Sequence, residues 1–260
     1  MLAIDLGELR MLRRPAPLPS AALRSLRDSG FCAIPNFLSP ISTRAVFDDA
    51  LLCEEAGLPR SAGIGSARGA GKAGAIRQNE AVRRSSMLTL YPPPTNSVGH
   101  GDTRDALIQC INAVRTQLET APELQGLLPP LAPFHTELAY LFYPEGGRYL
   151  RHMDVPSRRG GWSPIGRDAE DGGSFSQAAL RREISLLLYL NSDWDTAAWG
   201  GALRIWESSE AEEHMVDIAP EGGTLVLMRS DRVPHEVLET TRPRHCVVGW
   251  LRALRDSSPS

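Results

Sequence analysis

Hydrophobic and polar positions follow two different rhythms along this chain. Through about residue 134 the apolar residues recur at helical spacing. From Thr136 to Leu251 they come in short runs separated by turn residues, the pattern of strands. In the first part, Ser20 is placed to cap a helix that carries Leu23 and Leu26 and closes at Gly30. A strand over Phe31 to Ile34 follows, and Ser39-Pro40 starts a second helix running to about Ala56. A third helix takes Gly101-Asp102-Thr103 as its cap and sets Leu107, Ile111, Val114 and Leu118 on one stripe, with Ile108 alongside. That stripe should pack on a sheet. Ser61 to Gly74 is a Gly/Ala/Ser loop, equally readable as a surface loop or as a flap over a substrate.

These rhythms predict a loosely ordered or disordered lead-in over residues 1–19 and one domain over 20–255, with a helical part to 134 and a strand core from 135. The fold class is mainly β with flanking N-terminal helices, the helices buttressing a two-sheet jelly roll (a double-stranded β-helix). Such a barrel encloses a pocket on rigid strands.

Composition narrows the classes. A net charge of −3 and a pI near 6.1 argue against nucleic acid as a partner. No apolar run approaches the ~20 residues of a membrane span, and the N-terminus, with Asp5, Glu8, Arg10, Arg13 and Arg14, is not a secretory signal. Cys32, Cys53, Cys110 and Cys246 are scattered without metal or redox spacing. They read as reduced thiols of a cytoplasmic or nuclear protein.

The candidate chemistry lies in His152-Met153-Asp154, His235 and Arg244. Tyr149 to Asp154 reads as a strand entering a loop, and residues i and i+2 of a strand point to one side, so His152 and Asp154 can reach one metal. The apolar run Gly223 to Met228 and the turn-like stretch Arg229 to Pro234 then deliver His235. Two imidazoles and a carboxylate hold ferrous iron on one face and leave positions open for a chelating 2-oxo acid and dioxygen. An HxD pair alone is common by chance; its weight comes from the ordered series of strands, second histidine and arginine. The distal carboxylate of a 2-oxo acid needs a buried basic partner, and the guanidinium fork matches it bidentately. Arg244 and Arg242 both qualify by position. His100, His135, His214 and His245 lack partners at ligand spacing and read as surface or structural residues.

From Tyr143 to Trp250 the chain resembles the prolyl-hydroxylase branch of the Fe(II)- and 2-oxoglutarate-dependent dioxygenases, above all the hypoxia-inducible-factor (Egl-nine type) prolyl hydroxylases. The matching segments are Tyr143 to Pro156 (the metal-binding strand), Leu188 to Asn191 with Asp193-Trp194-Asp195 and Gly200 to Ile205 (the central hairpin), and Ser230 to Val237 (the second metal segment). Ser29 to Ile34 with Phe37-Leu38 is similar to the family's opening. The resemblance implies that His152, Asp154 and His235 bind iron and that Arg244 binds 2-oxoglutarate, with Tyr189 adding a hydroxyl hydrogen bond. It also implies that Tyr143 lies beside the iron end of the pocket, and that Leu187, which shares a strand face with Tyr189, joins the co-substrate site. Trp250 and Arg182 would face the substrate, as would Arg77 and Asn79. There Arg77-Gln78-Asn79 stands where relatives have Arg-x-Asp, so one acidic charge is missing. Residues 157–179 form an insertion over the mouth of the site.

The implied activity is hydroxylation of a prolyl residue in a protein or peptide, with Fe(II), 2-oxoglutarate and dioxygen, release of succinate and CO2, and ascorbate (vitamin C) as reductant. The insertion and Asn79 support an alternative substrate, a free amino acid or other small molecule. A third reading, of another class, is an inactive metal-binding jelly roll that serves as an interaction module.

Overall fold

Alternation along the apolar strands decides the architecture. In the computed structural model, residues 6–63, 79–90, 98–133, 137–155, 163–164, 178–208 and 213–256 are described. The N-terminal elements are α1 (Leu6–Arg13), α2 (Ser20–Asp28), β1 (Phe31–Ile34), α3 (Pro40–Glu55), β2 (Arg60–Ser61), β3 (Arg83–Arg84), β4 (Ser86–Thr89) and α4 (Gly101–Thr120). There follow β5 (Glu137–Tyr143), β6 (Gly147–His152), β7 (Ser163–Pro164), β8 (Ala178–Tyr189), α5 (Thr196–Trp199), β9 (Leu203–Ser208), β10 (Glu213–Ile218), β11 (Leu225–Arg229), β12 (His235–Thr240) and β13 (Arg244–Asp256). The larger sheet has eight strands in the order β1-β11-β8-β13-β5-β4-β2, with β7 paired to β8. The smaller has five, in the order β10-β9-β12-β6-β3. All the pairings within these sheets are antiparallel.

Each central strand of the large sheet is buried on both faces, which is why it reads as a continuous apolar run. On β8, Ile184, Leu186 and Leu188 join the helix-side core, while Leu187 and Tyr189 join the core between the sheets. On β5, Leu138, Tyr140 and Phe142 face the helices, and Ala139, Leu141 and Tyr143 face the other sheet. The expected stripe of α4 (Leu107, Ile111, Val114, Leu118) is buried in the helix-side core. At roughly 1.5–3 kcal/mol for each large aliphatic side chain removed from water, that face anchors the helical layer to the sheet. The two-sheet jelly roll with N-terminal helices is therefore present as expected.

Four local expectations are corrected. The lead-in is not loosely ordered over Leu6–Arg13: α1 forms there because Leu9 and Leu12, one turn apart, are buried in the helix-side core. The cap of α2 is Pro19, with no side-chain hydrogen bond, and Ser20 is already helical. His100, not the Gly101-Asp102-Thr103 triplet, precedes α4 as its cap. The segment expected as a central hairpin is a crossing between sheets. Tyr189 ends β8 in the large sheet, and after α5 the chain enters β9 in the small one. By contrast, α3 starts at Ser39-Pro40 as expected, and the Ser39 hydroxyl caps it by accepting from the Ser42 N–H at 3.0 Å.

Candidate active site

His152 ends β6 and His235 opens β12, and the antiparallel register sets them directly opposite each other. Their ring centroids are 4.3 Å apart. Asp154 follows two residues after His152, and its segment is tied to the β11–β12 turn by a hydrogen bond from the Val155 N–H to the Ser230 carbonyl (2.9 Å). One ligand atom from each of His152, Asp154 and His235 lies within 4.8 Å of the others. His152 Nε2 is 3.7 Å from Asp154 Oδ1, and His235 Nε2 is 4.0 Å from Asp154 Oδ2.

Each imidazole is oriented by its own backbone. His152 Nδ1 is 2.8 Å from the Leu150 carbonyl, and His235 Nδ1 is 3.0 Å from that of Val233. A carbonyl only accepts, so both Nδ1 atoms carry a proton, and the Nε2 atom of each ring is the one turned toward Asp154. Burial, followed by the neighbouring His235, lowers the His152 pKa to about 4, so that ring is neutral at physiological pH. Burial pushes the Asp154 carboxyl up, but His235, His152 and hydrogen bonds from Ser185 and Trp250 outweigh it and hold the pKa at about 2. Two imidazole nitrogens and one carboxylate on one side of a cavity fit a ferrous ion with open positions.

The cavity has a volume of about 360 Å³, and His152, Asp154, His235, Tyr143, Leu187, Arg182 and Trp250 all line it. Arg244 lies deeper, at 0% exposure. Its guanidinium carbon is 4.9 Å from the Tyr143 ring centroid and 5.0 Å from that of Tyr189. Its one side-chain hydrogen bond among the described residues is a long contact from Nη1 to Cys246 Sγ (3.8 Å); Nε and Nη2 have no partner, and neither has the Tyr189 hydroxyl. Burial acts against the Arg244 charge, but Cys246, Tyr189 and Tyr143 more than offset it and raise the pKa, so the group stays cationic. Among the described residues no carboxylate pairs with Arg244. An unpaired buried cation costs several kcal/mol, so this pair of orphaned polar groups is fitted to an anion. Arg242, the rival by position, is exposed and lies 4.3 Å over the Trp199 ring. Gly201 keeps room for Arg244: its φ is +72°, and a Cβ there would stand 3.3 Å from Arg244 Cδ.

Arg182 reaches the cavity through an irregularity in β8. Trp250 pairs with Ser185 and Leu251 with Ile184, but Arg252 pairs with Arg182, so Glu183 is the extra residue. Such a bulge re-aims the side chains beyond it. Arg182 then lies 3.6 Å over the Trp250 ring and is gripped by Glu137, with Nη2–Oε2 at 2.5 Å and Nε–Oε1 at 3.1 Å. The acidic partner of Arg182 is thus a residue of β5. Asn79 itself is exposed, its side chain accepting from the Ala81 N–H (3.1 Å), and it does not line the cavity. Arg77, residues 64–74 of the Ser61–Gly74 loop and nearly all of the 157–179 insertion lie outside the described residues; of the insertion, only β7 and the start of β8 are described.

Sequence reasoning missed Ser185, Glu137, Arg83 and Tyr149. Ser185 donates to Asp154 Oδ2 (2.5 Å), as does Trp250 Nε1 (2.9 Å). Tyr149 stacks on His152 at 3.7 Å, and Arg83 lies 4.6 Å over the Tyr149 ring. Ser185 carried a usable signal: it is a lone hydroxyl in an apolar strand, on the same face as Leu187 and Tyr189.

Residues 138–252 match the 2OG-Fe(II) oxygenase superfamily profile. The rat protein Egl nine homolog 1 is 32% identical over 110 residues, 42% of this chain and 26% of the relative, so the match spans about a quarter of that protein's length. The crystal structure of a Pseudomonas putida prolyl-4-hydroxylase superposes with a TM-score of 0.62 at 25% identity, covering 90% of this chain and 98% of that one. A prolyl hydroxylase solved with a hypoxia-inducible-factor peptide fragment from Trichoplax adhaerens shares the fold, with a TM-score of 0.64 at 21% identity over 94% of this chain and 90% of that one. The superfamily implies Fe(II), 2-oxoglutarate and dioxygen, the set that the donor atoms and the orphaned arginine fit. No helix among the described residues is long and apolar enough to cross a membrane. Over residues 138–252 this chain is thus similar to the 2OG-Fe(II) oxygenase superfamily, and the proteins it resembles include Egl nine and prolyl 4-hydroxylase proteins.

Proposed function

We propose that this protein is an Fe(II)- and 2-oxoglutarate-dependent dioxygenase that hydroxylates a prolyl residue in a protein or peptide, with release of succinate and CO2. One observation carries the reading: a His-Asp-His cluster with free ligand atoms shares a barrel interior with a buried arginine that has no acidic partner among the described residues. His152, Asp154 and His235 would hold the metal from one side. The iron, when bound, supplies activation of dioxygen and of the 2-oxo acid. Arg244 and Tyr189 would orient the distal carboxylate, and the apolar walls Tyr143, Leu187 and Val248 would exclude water. Trp250 and Arg182, which also line the cavity, would meet the substrate. Ascorbate would serve as reductant. The four cysteines are all free and buried, which supports a reducing compartment, cytoplasm or nucleus.

A second substrate class, a free amino acid or other small molecule, has one observation in its favour. Arg182, the cation a peptide would meet, is already committed to Glu137 and Trp250. The two are separated by incubating the protein with Fe(II), 2-oxoglutarate and air, and with either proline-containing peptides or free amino acids. A peptide that gains the mass of one oxygen atom on proline supports the first reading. Turnover of free amino acids alone would replace it with the second.

A further inference from the structure

The Asp154 carboxylate is held on one oxygen only. Ser185 Oγ (2.5 Å) and Trp250 Nε1 (2.9 Å) both bond to Oδ2, and no hydrogen bond to Oδ1 is seen among the described residues. Behind Ser185, at 2.8 Å, stands the hydroxyl of Ser230. A hydroxyl carries one proton. Since Ser185 gives its proton to the carboxylate, Ser230 must donate to Ser185. The result is a one-way chain, Ser230 to Ser185 to Asp154, in which each bond polarises the next.

Both serines are themselves fixed. They are 2–3% exposed. Ser185 is the register partner of Trp250 across β8 and β13, so the two donors approach the carboxylate from adjacent strands of the rigid sheet. The Ser230 backbone N–H bonds to the Glu183 carbonyl (3.0 Å), and its carbonyl accepts from Val155, next to Asp154. Beneath this lies a cluster of four charges, three of them buried: Glu183 pairs with Arg181 (2.5 Å) and with the half-buried Arg229 (3.0 Å), and Asp231 lies 3.5 Å from Arg181. That cluster locks the irregularity at Glu183, and with it the register that aims Ser185.

We propose that Ser185, backed by Ser230, is a positioning residue that pins Asp154 Oδ2 and leaves Oδ1 as the sole metal-ligating oxygen. Without it the carboxylate can rotate or chelate through both oxygens, occupying a position that the 2-oxo acid or dioxygen needs. The proposal rests on the metal assignment above. Groups that orient a metal ligand typically change metal affinity by about 10–100-fold.

The test is anaerobic titration of the metal-free protein with Fe(II), repeated with Co(II) so that the visible spectrum reports coordination number. Ser185→Ala should bind metal 10–100-fold more weakly, shift the Co(II) spectrum toward higher coordination, and leave the melting temperature of the metal-free protein nearly unchanged. Ser185→Thr, which keeps the hydroxyl, should restore both metal readouts. A merely structural serine would lower the melting temperature and leave the affinity alone, and that result overturns the proposal. Should Ser185→Ala not fold, Ser230→Ala decides: a weaker effect of the same kind supports the chain, and unchanged affinity overturns it. Failure of the unsubstituted protein to bind either metal would instead overturn the metal assignment itself, and the proposal with it. Binding and turnover intact in every variant would overturn the positioning role alone.

Discussion

His152 and His235 are register partners across the β6–β12 pair, 83 residues apart in sequence and 4.3 Å apart between ring centroids. Strand register therefore delivers two of the candidate ligands, and the short span to Asp154 delivers the third. Removing the carboxylate should remove the site. Asp154→Ala is expected to lose metal binding and turnover together. In the unsubstituted protein, metal at 100 times its Kd should add about 2.7 kcal/mol of stability, a rise of roughly 5 °C or more in Tm for a chain of this size. Asp154→Ala should show no such rise by calorimetry with and without Co(II).

Arg244 and Arg242 differ by two positions and entirely in environment. Arg244→Ala should raise the 2-oxoglutarate KM by roughly a hundred-fold, because truncating one partner of a buried charge pair costs about 2–5 kcal/mol. Arg244→Lys should recover only part of this, since an ammonium lacks the planar fork. Arg242→Ala, at an exposed position against Trp199, should leave that KM unchanged. Steady-state kinetics in 2-oxoglutarate separates the three.

Glu137 holds Arg182 over Trp250. Both partners of the ion pair are about a third exposed, so Glu137→Gln should change stability by about 1 kcal/mol or less. Its effect should fall on the substrate: a several-fold higher KM for peptide with the 2-oxoglutarate KM unchanged. Equal changes in both constants would show that the pair supports the whole pocket instead of its substrate wall.

Leu12 tests whether α1 belongs to the folded unit. It is 1% exposed in the helix-side core, and a buried Leu→Ala change costs about 2–5 kcal/mol. Leu12→Ala should lower the denaturation midpoint accordingly and leave both KM values alone. A loss of less than ~0.5 kcal/mol, as at an ordinary surface site, would mean that α1 is dispensable.

The strand core and the ligand set were legible because both rest on local rules. Period-two alternation placed Leu187 and Tyr189 on one face of β8, and the cores divide there. The spacing of His152 and Asp154 survives folding because the two residues are sequence neighbours. Arg182 agrees with its expected place for a reason that parity could not give, since strict alternation would have turned it away from Ser185; the extra residue Glu183 turns it back. Glu137 was not legible as a site residue, because its partner Arg182 lies on another strand and only the folded sheet brings them together. The preference for Arg244 over Arg242 came from the resemblance, since position alone left both open; the physical difference between them is burial. The crossing from β8 to β9 read as a hairpin because turn residues mark a reversal of the chain without saying which sheet it enters.

The central claim is that the metal cluster and the buried arginine serve one reaction. It is tested most directly by measuring succinate and hydroxylated peptide together, in the purified protein supplied with Fe(II), 2-oxoglutarate and air, with Asp154→Ala as control. The account predicts succinate formation that needs both additions, is stimulated by a proline-containing peptide, matches the hydroxylated product one for one and is absent from the variant. Metal bound with no succinate above the variant, under any substrate tried, would contradict it and leave the inactive metal-binding module as the better description.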